Sequence, residues 1–174
     1  MSNVIPEKGI NFSVYLNGED LLGVAEGTLP ALESMTSEVK GAGVAGVIES
    51  PVIGHFNSTN FSLTWRTVTD NFLKLFDHST NDLELFSALQ QYDAGLGEYK
   101  VVQLRVYMKA ITKTRTPGNL VVGDNMDTQM EFEVVYMKVY LDDKERVELD
   151  KYDYIYTVDG VDQLDEVARA LGKR

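Results

Sequence analysis

The stretch that decides the fold is residues 130–174, MEFEVVYMKVYLDDKERVELDKYDYIYTVDGVDQLDEVARALGKR. Met130, Phe132, Val134, Tyr136, Lys138 and Tyr140 alternate with their neighbours, the period of a strand half-buried along most of its length. Asp142-Asp143-Lys144-Glu145 is a polar turn, after which Val147 and Leu149 alternate with Glu148 and Asp150, so a hairpin is expected. Tyr152, Tyr154 and Tyr156 lead into a second turn, Val158-Asp159-Gly160-Val161-Asp162. A short amphipathic helix follows, with Leu164, Val167, Ala168 and Leu171 on its apolar stripe. Asp165 is placed to pair with Arg169 four residues on, and Gly172 ends the helix.

The strand period continues towards the N-terminus. Residues 100–114 carry Val102, Leu104, Val106, Met108 and Ala110 on one side, and residues 82–92 continue the pattern. In residues 57–66, Phe61, Leu63 and Trp65 share one face, with Ser58, Asn60, Ser62, Thr64 and Arg66 on the other. Phe12, Val14 and Leu16 run up to Asn17-Gly18, a strong hairpin dipeptide, and residues 21–24 are expected to return from it. Thr69 or Asp70 caps a short helix whose Phe72, Leu75 and Phe76 share a face. Residues 1–9 show no pattern of their own. The sum is a mainly β chain, a β-sandwich or partly open β-barrel with two short helices, in one domain over residues 1–174.

Composition narrows the function. The chain has no cysteine, which excludes a disulfide framework, thiolate chemistry and a Cys-based metal site. No basic-then-apolar leader and no long apolar run is evident, so neither classical export nor membrane insertion is expected. With 16 basic against 27 acidic residues and a formal charge of −11, stable binding to nucleic acid is not expected. An acidic or neutral wall suits transient DNA passage, because it does not hold phosphate.

The motifs that suggest chemistry lack the context the chemistry needs. Gly41-Ala42-Gly43-Val44-Ala45-Gly46 fits G-x-G-x-x-G, but a polar approach precedes it and Val47-Ile48-Glu49-Ser50-Pro51 is a poor helix start. The alternatives are a flexible glycine loop or, more sharply, a loop that packs its backbone against a neighbouring subunit where side chains would not fit. His55 and His78 stand apart with no second His at metal spacing, and no G-x-S-x-G elbow is present. Asp142-Asp143 and the Asp124/Asp127 pair read as solvated turn acids. The alternating tyrosines 152, 154 and 156 read as core or interface filling. No catalytic residue, metal ligand or cofactor is expected, and the chain does not read as an enzyme.

Two blocks carry a family resemblance: VYMKVYLDDKERVELDKYDYIYTVDGVDQL near the C-terminus, and the succession Leu29-Pro30-Ala31-Leu32, Gly41-Ala42-Gly43, Phe61-Ser62-Leu63-Thr64-Trp65. In these the chain resembles the major tail tube proteins of contractile-tailed bacteriophages and R-type bacteriocins. The resemblance implies a tail-tube fold and a structural subunit whose hexameric rings stack into a hollow rigid tube. Contraction of a surrounding sheath drives that tube through a cell envelope, and the lumen conducts DNA in a phage or ions in a bacteriocin. It implies as partners further copies of the chain, a sheath protein, a baseplate hub, and tape measure and tail terminator proteins. The implied location is a virion tail or bacteriocin particle, assembled in the bacterial cytoplasm.

On this reading two long loops, about 40–56 and 115–128, hold neighbouring subunits. Their candidate contact residues are Gly41, Gly43, Val44, Gly46, Val47 and Ile48 in the first and Leu120, Val121 and Val122 in the second. Ser58, Asn60, Ser62, Thr64 and Arg66 are candidates for the lumen or the outer wall. The rivals are a tube protein of type VI secretion, a monomeric lipocalin-like barrel with a deep apolar lumen, and a barrel-based hydrolase using His55 or His78.

Overall fold

The structure is a computed structural model and describes residues 3–20 and 23–173. In chain order its strands are β1 (Val4–Leu16), β2 (Glu19–Asp20), β3 (Val24–Thr28), β4 (Ser34–Val39), β5 (Ile48–Phe56) and β6 (Asn60–Trp65). Helix α1 (Asp70–Lys74) separates these from β7 (Thr80–Asp93), β8 (Glu98–Thr116), β9 (Thr128–Leu141), β10 (Lys144–Asp150), β11 (Ile155–Val158) and β12 (Val161–Asp162). Helix α2 (Asp165–Ala170) closes the chain. Among the described residues, β4 and β5 pair only with each other, and the other ten strands form one antiparallel sheet. Its order is β12-β11-β10-β9-β8-β7-β1-β2, with β6 added to β9 and β3 to β6.

Local chemistry sets the turns. Asn17 and Gly18 (φ 49° and 84°), Asp142 and Asp143 (53° and 60°), and Asp159 and Gly160 (48° and 82°) take the left-handed conformations of two-residue hairpins. These residue types tolerate that region best, so the register of each hairpin is fixed at its turn. Leu141 therefore faces Lys144, and Val158 faces Val161.

The sheet branches at the middle of β9. Its first half pairs with β6, Phe61 opposite Phe132 and Leu63 opposite Met130. Its second half pairs with β10, Met137 opposite Leu149. At the fork Val134 N–H donates to the Thr59 carbonyl (2.8 Å), and Lys151 N–H donates to the Val135 carbonyl (3.1 Å). The β8–β9 register slips there, leaving Val135 unmatched. A bulge moves every later side chain to the opposite face. Met130, Phe132 and Val134 are buried before it, and Met137 after it. The expected run through Tyr136, Lys138 and Tyr140 thus changes faces: those three belong to the half-exposed side with Glu148.

The inner face of the curled sheet holds the core. Phe61, Leu63 and Trp65 from β6, Met108 and Ala110 from β8, and Phe132 from β9 are wholly buried. Helix α1 seals one end: the Thr69 hydroxyl accepts from Phe72 N–H (3.2 Å), and the Phe72 ring meets Trp65 edge-on at 5.3 Å. A Cβ at Gly27 would lie 3.4 Å from Leu63 and 3.8 Å from Leu85, so β3 crosses over β7 and its close approach suits a glycine. The sheet folds over this core without closing, and aromatic side chains occupy the space a lipocalin-like barrel would leave for a ligand.

Several expectations need correction. The N-terminus is not patternless: Val4 to Gly9 belong to β1, paired with β7 from Asp93 to Leu89. Asn17-Gly18 does turn the chain, but the return strand β2 is two residues long, and β3 pairs with β6 instead. Leu21 and Leu22 lie outside the described residues. Of the three alternating tyrosines only Tyr156 lies in a strand; Tyr154 has φ 56° in the connecting turn. The loop at 40–56 is largely strand, since Ile48–Phe56 is β5, and the loop at 115–128 contracts to 117–127.

Candidate assembly interface

Strands β4 and β5 form an arm that leaves the sheet. Their register runs Val39 to Ile48, Glu38 to Glu49, Ser37 to Ser50 and Thr36 to Pro51. A two-stranded hairpin buries little and is marginally stable by itself. This one exposes Met35, Val39, Val47, Ile48, Val52 and Ile53, each by 41% or more. The doublet Val52-Ile53 within β5 explains why, with Val47 just before the strand and Ile48 opening it. In a strand, adjacent residues point to opposite faces, so both faces of β5 are aliphatic and no single core can cover both. The tip carries Gly41, Gly43 and Gly46 at φ 142°, 93° and 142°, with open space around each. Val44 is half-buried there, its N–H donating to the Gly41 carbonyl at 3.1 Å.

The arm is anchored at its base. Gly54 of β5 receives Leu164, the residue before α2, and Phe56 meets Tyr156 edge-on at 4.9 Å. Asp165 and Arg169 pair on α2 at 2.6 Å, as their spacing implies.

The loop 117–127 is braced from within. Asn119 N–H donates to the Met126 carbonyl (2.9 Å), Met126 N–H to the Arg66 carbonyl (2.8 Å), and the Thr128 hydroxyl to the Pro117 carbonyl (2.8 Å). A Cβ at Gly118 would fall 2.0 Å from the Met126 carbonyl oxygen, and its φ is 92°, so this close crossing requires glycine. On that frame Leu120, Val121 and Val122 are 89%, 59% and 104% exposed, three successive aliphatic side chains in solvent.

The residues expected on a lumen or outer wall share one surface. Asn60, Ser62 and Thr64 project from β6 on the side opposite Phe61, Leu63 and Trp65, with Ser58 and Arg66 just beyond its ends. Across the ladder they face Glu133, Glu131 and Gln129. The Ser58 hydroxyl and Thr59 N–H donate to Glu133, Lys151 pairs with it at 3.0 Å, and Lys113 donates to Asn60 at 3.1 Å. Burial raises the pKa of the Glu133 carboxyl, but the Ser58, Lys151 and Thr59 bonds outweigh it and hold the pKa below the ordinary range.

A second outward surface spans β7 to β10, and sequence reasoning missed it. Arg105 pairs with Glu84 at 2.5 Å and lies over the rings of Phe86 and Tyr140. Lys138 lies between Glu145 (3.2 Å) and Glu148 (3.3 Å), and the Tyr136 hydroxyl donates to Glu148 at 2.9 Å. Burial, then the Glu148 bond, push the Tyr136 phenol up to about 12. Burial alone would lower Lys138, but the Glu145 hydrogen bond and the Glu148 charge raise it above its ordinary value. Cations held this way have carboxylate or aromatic partners, so the surface offers phosphate little.

Two further features bear on association. Along β1 the side away from β7 is unpaired from Val4 to Val14 among the described residues, an open edge interrupted by Pro6 and by register slips at Glu7 and Ile10. On the inner face, beyond the reach of β6, an apolar groove of about 230 Å³ runs between Leu29, Pro30 and Leu32 on one side and Leu104, Val139 and Val147 on the other. Among the described residues no group of three or more His, Cys, Asp or Glu side chains is placed to hold a metal ion. His55 lies beside Tyr154, 6.5 Å between ring centroids, and His78 donates its backbone N–H to Asp77.

The model of the family described as phage tail tube protein FII matches residues 6–172. A tail tube protein of Escherichia phage P2 is 27% identical, the match covering 97% of this chain and 98% of that one. The major tail tube protein of Serratia phage KSP20 is 24% identical, with 97% of each chain covered. Among solved structures, a chain of an extracellular contractile injection system, described as the PVC sheath/tube terminator in the extended state, superposes with a TM-score of 0.50. It is 15% identical and covers 76% of this chain and 93% of its own, a likeness of fold.

Proposed function

The chain belongs to the phage tail tube protein FII family, a family of structural proteins rather than enzymes, and from that premise we propose that it is the ring subunit of the inner tube of a contractile tail. Hexameric rings of the subunit stack into a hollow rigid tube that sheath contraction drives through a cell envelope. The lumen then conducts DNA in a phage particle or ions in a bacteriocin. The observation that carries this reading is the placement of exposed aliphatic side chains. Among the described residues six lie on an arm that leaves the sheet, between Met35 and Ile53, and three in succession on a braced loop, Leu120 to Val122. A monomer gains nothing from such surfaces, and large exposed apolar patches mark interaction sites.

The open strand edges supply the second element. Pairing β1 of one copy with an edge of the next is a heterologous contact, which closes into a ring when the rotation allows it. Gly41, Gly43, Val44, Gly46, Val47 and Ile48 at the arm's tip would touch neighbours, as would Leu120, Val121 and Val122. Ser58, Asn60, Ser62, Thr64 and Arg66 would meet water on the tube's inner or outer wall. Further partners on this reading are a sheath protein, a baseplate hub, a tape measure protein and a tail terminator. The tube would be assembled in the bacterial cytoplasm and end in a virion tail or bacteriocin particle.

Negative-stain electron microscopy of the purified chain at high concentration, alone and with a baseplate-like nucleus, tests the proposal. Rings or hollow tubes are the expected result. Dispersed monomers in both samples would overturn it.

A further inference from the structure

The groove between Leu29, Pro30, Leu32, Leu104, Val139 and Val147 is an apolar face that nothing in the subunit fills. The loop tip Leu120-Val121-Val122 is an apolar projection that touches nothing in the subunit's interior. From these we infer that the tip of one copy seats in the groove of another copy, as a knob joining successive subunits along the tube. The inference rests on the tube reading above and assigns one of its contacts.

Three observations point to a second copy as the occupant. Charge is the first. The chain carries a formal −11, so copies repel wherever charged surfaces meet, yet neither the tip nor the groove lining contains an ionisable side chain. Position is the second. The loop leaves β8 at Thr116, while Leu104 of the groove lies twelve residues back on the same strand, at most about 40 Å along it at ~3.4 Å per residue. A projection at one end and a recess towards the other make a heterologous contact that does not close on itself, and such a contact propagates as a filament.

Area is the third. Three aliphatic side chains bury a few hundred Å² at most, on the order of a quarter of the ~1,200–2,000 Å² that a stable pairwise complex needs. The contact is therefore too small to hold a dimer in free solution and effective only when repeated among other contacts in a lattice. The internal bracing matters here: Gly118, Asn119 and Met126 fix the loop before docking, so little ordering remains to be done on contact.

The absence of cysteine in the native chain makes the test clean. Leu29→Cys and Val121→Cys are combined in one chain, the chain is assembled, and the product is oxidised and run under non-reducing conditions. A ladder of covalent multimers is expected from the double variant, and no species above dimer from a mixture of the two single variants. Tubes that form without a ladder overturn the contact and leave the tube reading standing. A wild-type chain that never polymerises, seeded or unseeded, overturns both.

Val122→Asp gives an independent measure, because Val122 is fully exposed and its replacement leaves the folded subunit intact. The expected result is an unchanged Tm of the free subunit with at least a tenfold rise in the critical concentration for assembly. An unchanged critical concentration overturns the contact.

Discussion

A Cβ placed on Gly54 would lie 2.3 Å from Cδ2 of Leu164, so the arm and the C-terminal helix meet at a point with room for hydrogen only. Gly54 also has φ 67°, and Leu164 is 3% exposed. Gly54→Ala therefore combines overpacking with a strained backbone, and a loss of about 2–4 kcal/mol is expected. Urea denaturation of the free subunit measures it. A loss below about 1 kcal/mol would show that Leu164 is free to move aside.

Glu133 acts at the fork of the sheet, binding Ser58, Thr59 and Lys151 while only 29% of its side chain is exposed. Its pKa is lowered in the fold from the ordinary 4.5, so the folded state holds the ionised form. That contribution is fully present above about pH 4.5 and is lost as the pH falls through the lowered native value. Glu133→Gln is expected to cost about 1–2 kcal/mol at neutral pH, discounted for partial exposure, and to flatten the acid limb of stability against pH. A variant that keeps the full acid dependence would assign that limb to another carboxylate.

Most of the framework was legible because hairpin chemistry is local. Asn17-Gly18, Asp142-Asp143 and Asp159-Gly160 announce their turns, and Phe61, Leu63 and Trp65 announce a buried face. The bulge at Val135 was not legible, because Val134-Val135 is compatible with unbroken alternation and the slip arises where β6 hands over to β10. The strand in residues 4–9 was hidden for a similar reason: most of its side chains are exposed, and only its backbone pairing with β7 defines it. The arm left a signal in the doublet Val52-Ile53, whose adjacent aliphatics require two partners. The apolar groove left none, since Leu29 and Val147 come together only through the tertiary fold.

The Tyr136 phenol is pushed up to about 12 by burial and the Glu148 bond, so it should ionise well above the ordinary tyrosine value of 10. A raised native pKa adds stability that is fully present below pH 10 and is lost as the pH rises towards 12. The raised value of Lys138 acts in the same direction at the alkaline end. Ultraviolet titration is expected to show a late phase whose last-ionising tyrosine is lost in Tyr136→Phe. A variant with the same late phase would move the assignment to Tyr107, also raised by burial and by Asp82.

Val52 and Ile53 are 41% and 66% exposed, so Val52→Ser with Ile53→Ser removes little that the free subunit buries. The effect on subunit stability should stay within about 0.5 kcal/mol. If the arm holds neighbours, the same pair should raise the critical concentration for assembly at least tenfold, read by light scattering and electron microscopy. Normal assembly would exclude this part of the arm from the contacts.

The formal charge of −11 sets the final prediction, because bringing subunits together concentrates like charge and the apolar contacts must overcome it. The screening length falls from about 30 Å at 0.01 M salt to about 8 Å at 0.15 M, while apolar burial is little affected over that range. Assembly should therefore become easier as salt rises from very low to moderate, with a falling critical concentration by sedimentation. The exposed ion pairs Lys40–Glu38 and Arg146–Asp159 lie within one subunit, so their screening weakens the fold slightly without opposing this trend. Easier assembly at very low salt would mean that attractive charge pairs between subunits outweigh the net repulsion. The tube contacts would then have to be sought among the charged surfaces of β7 to β10 rather than the aliphatic arm and loop.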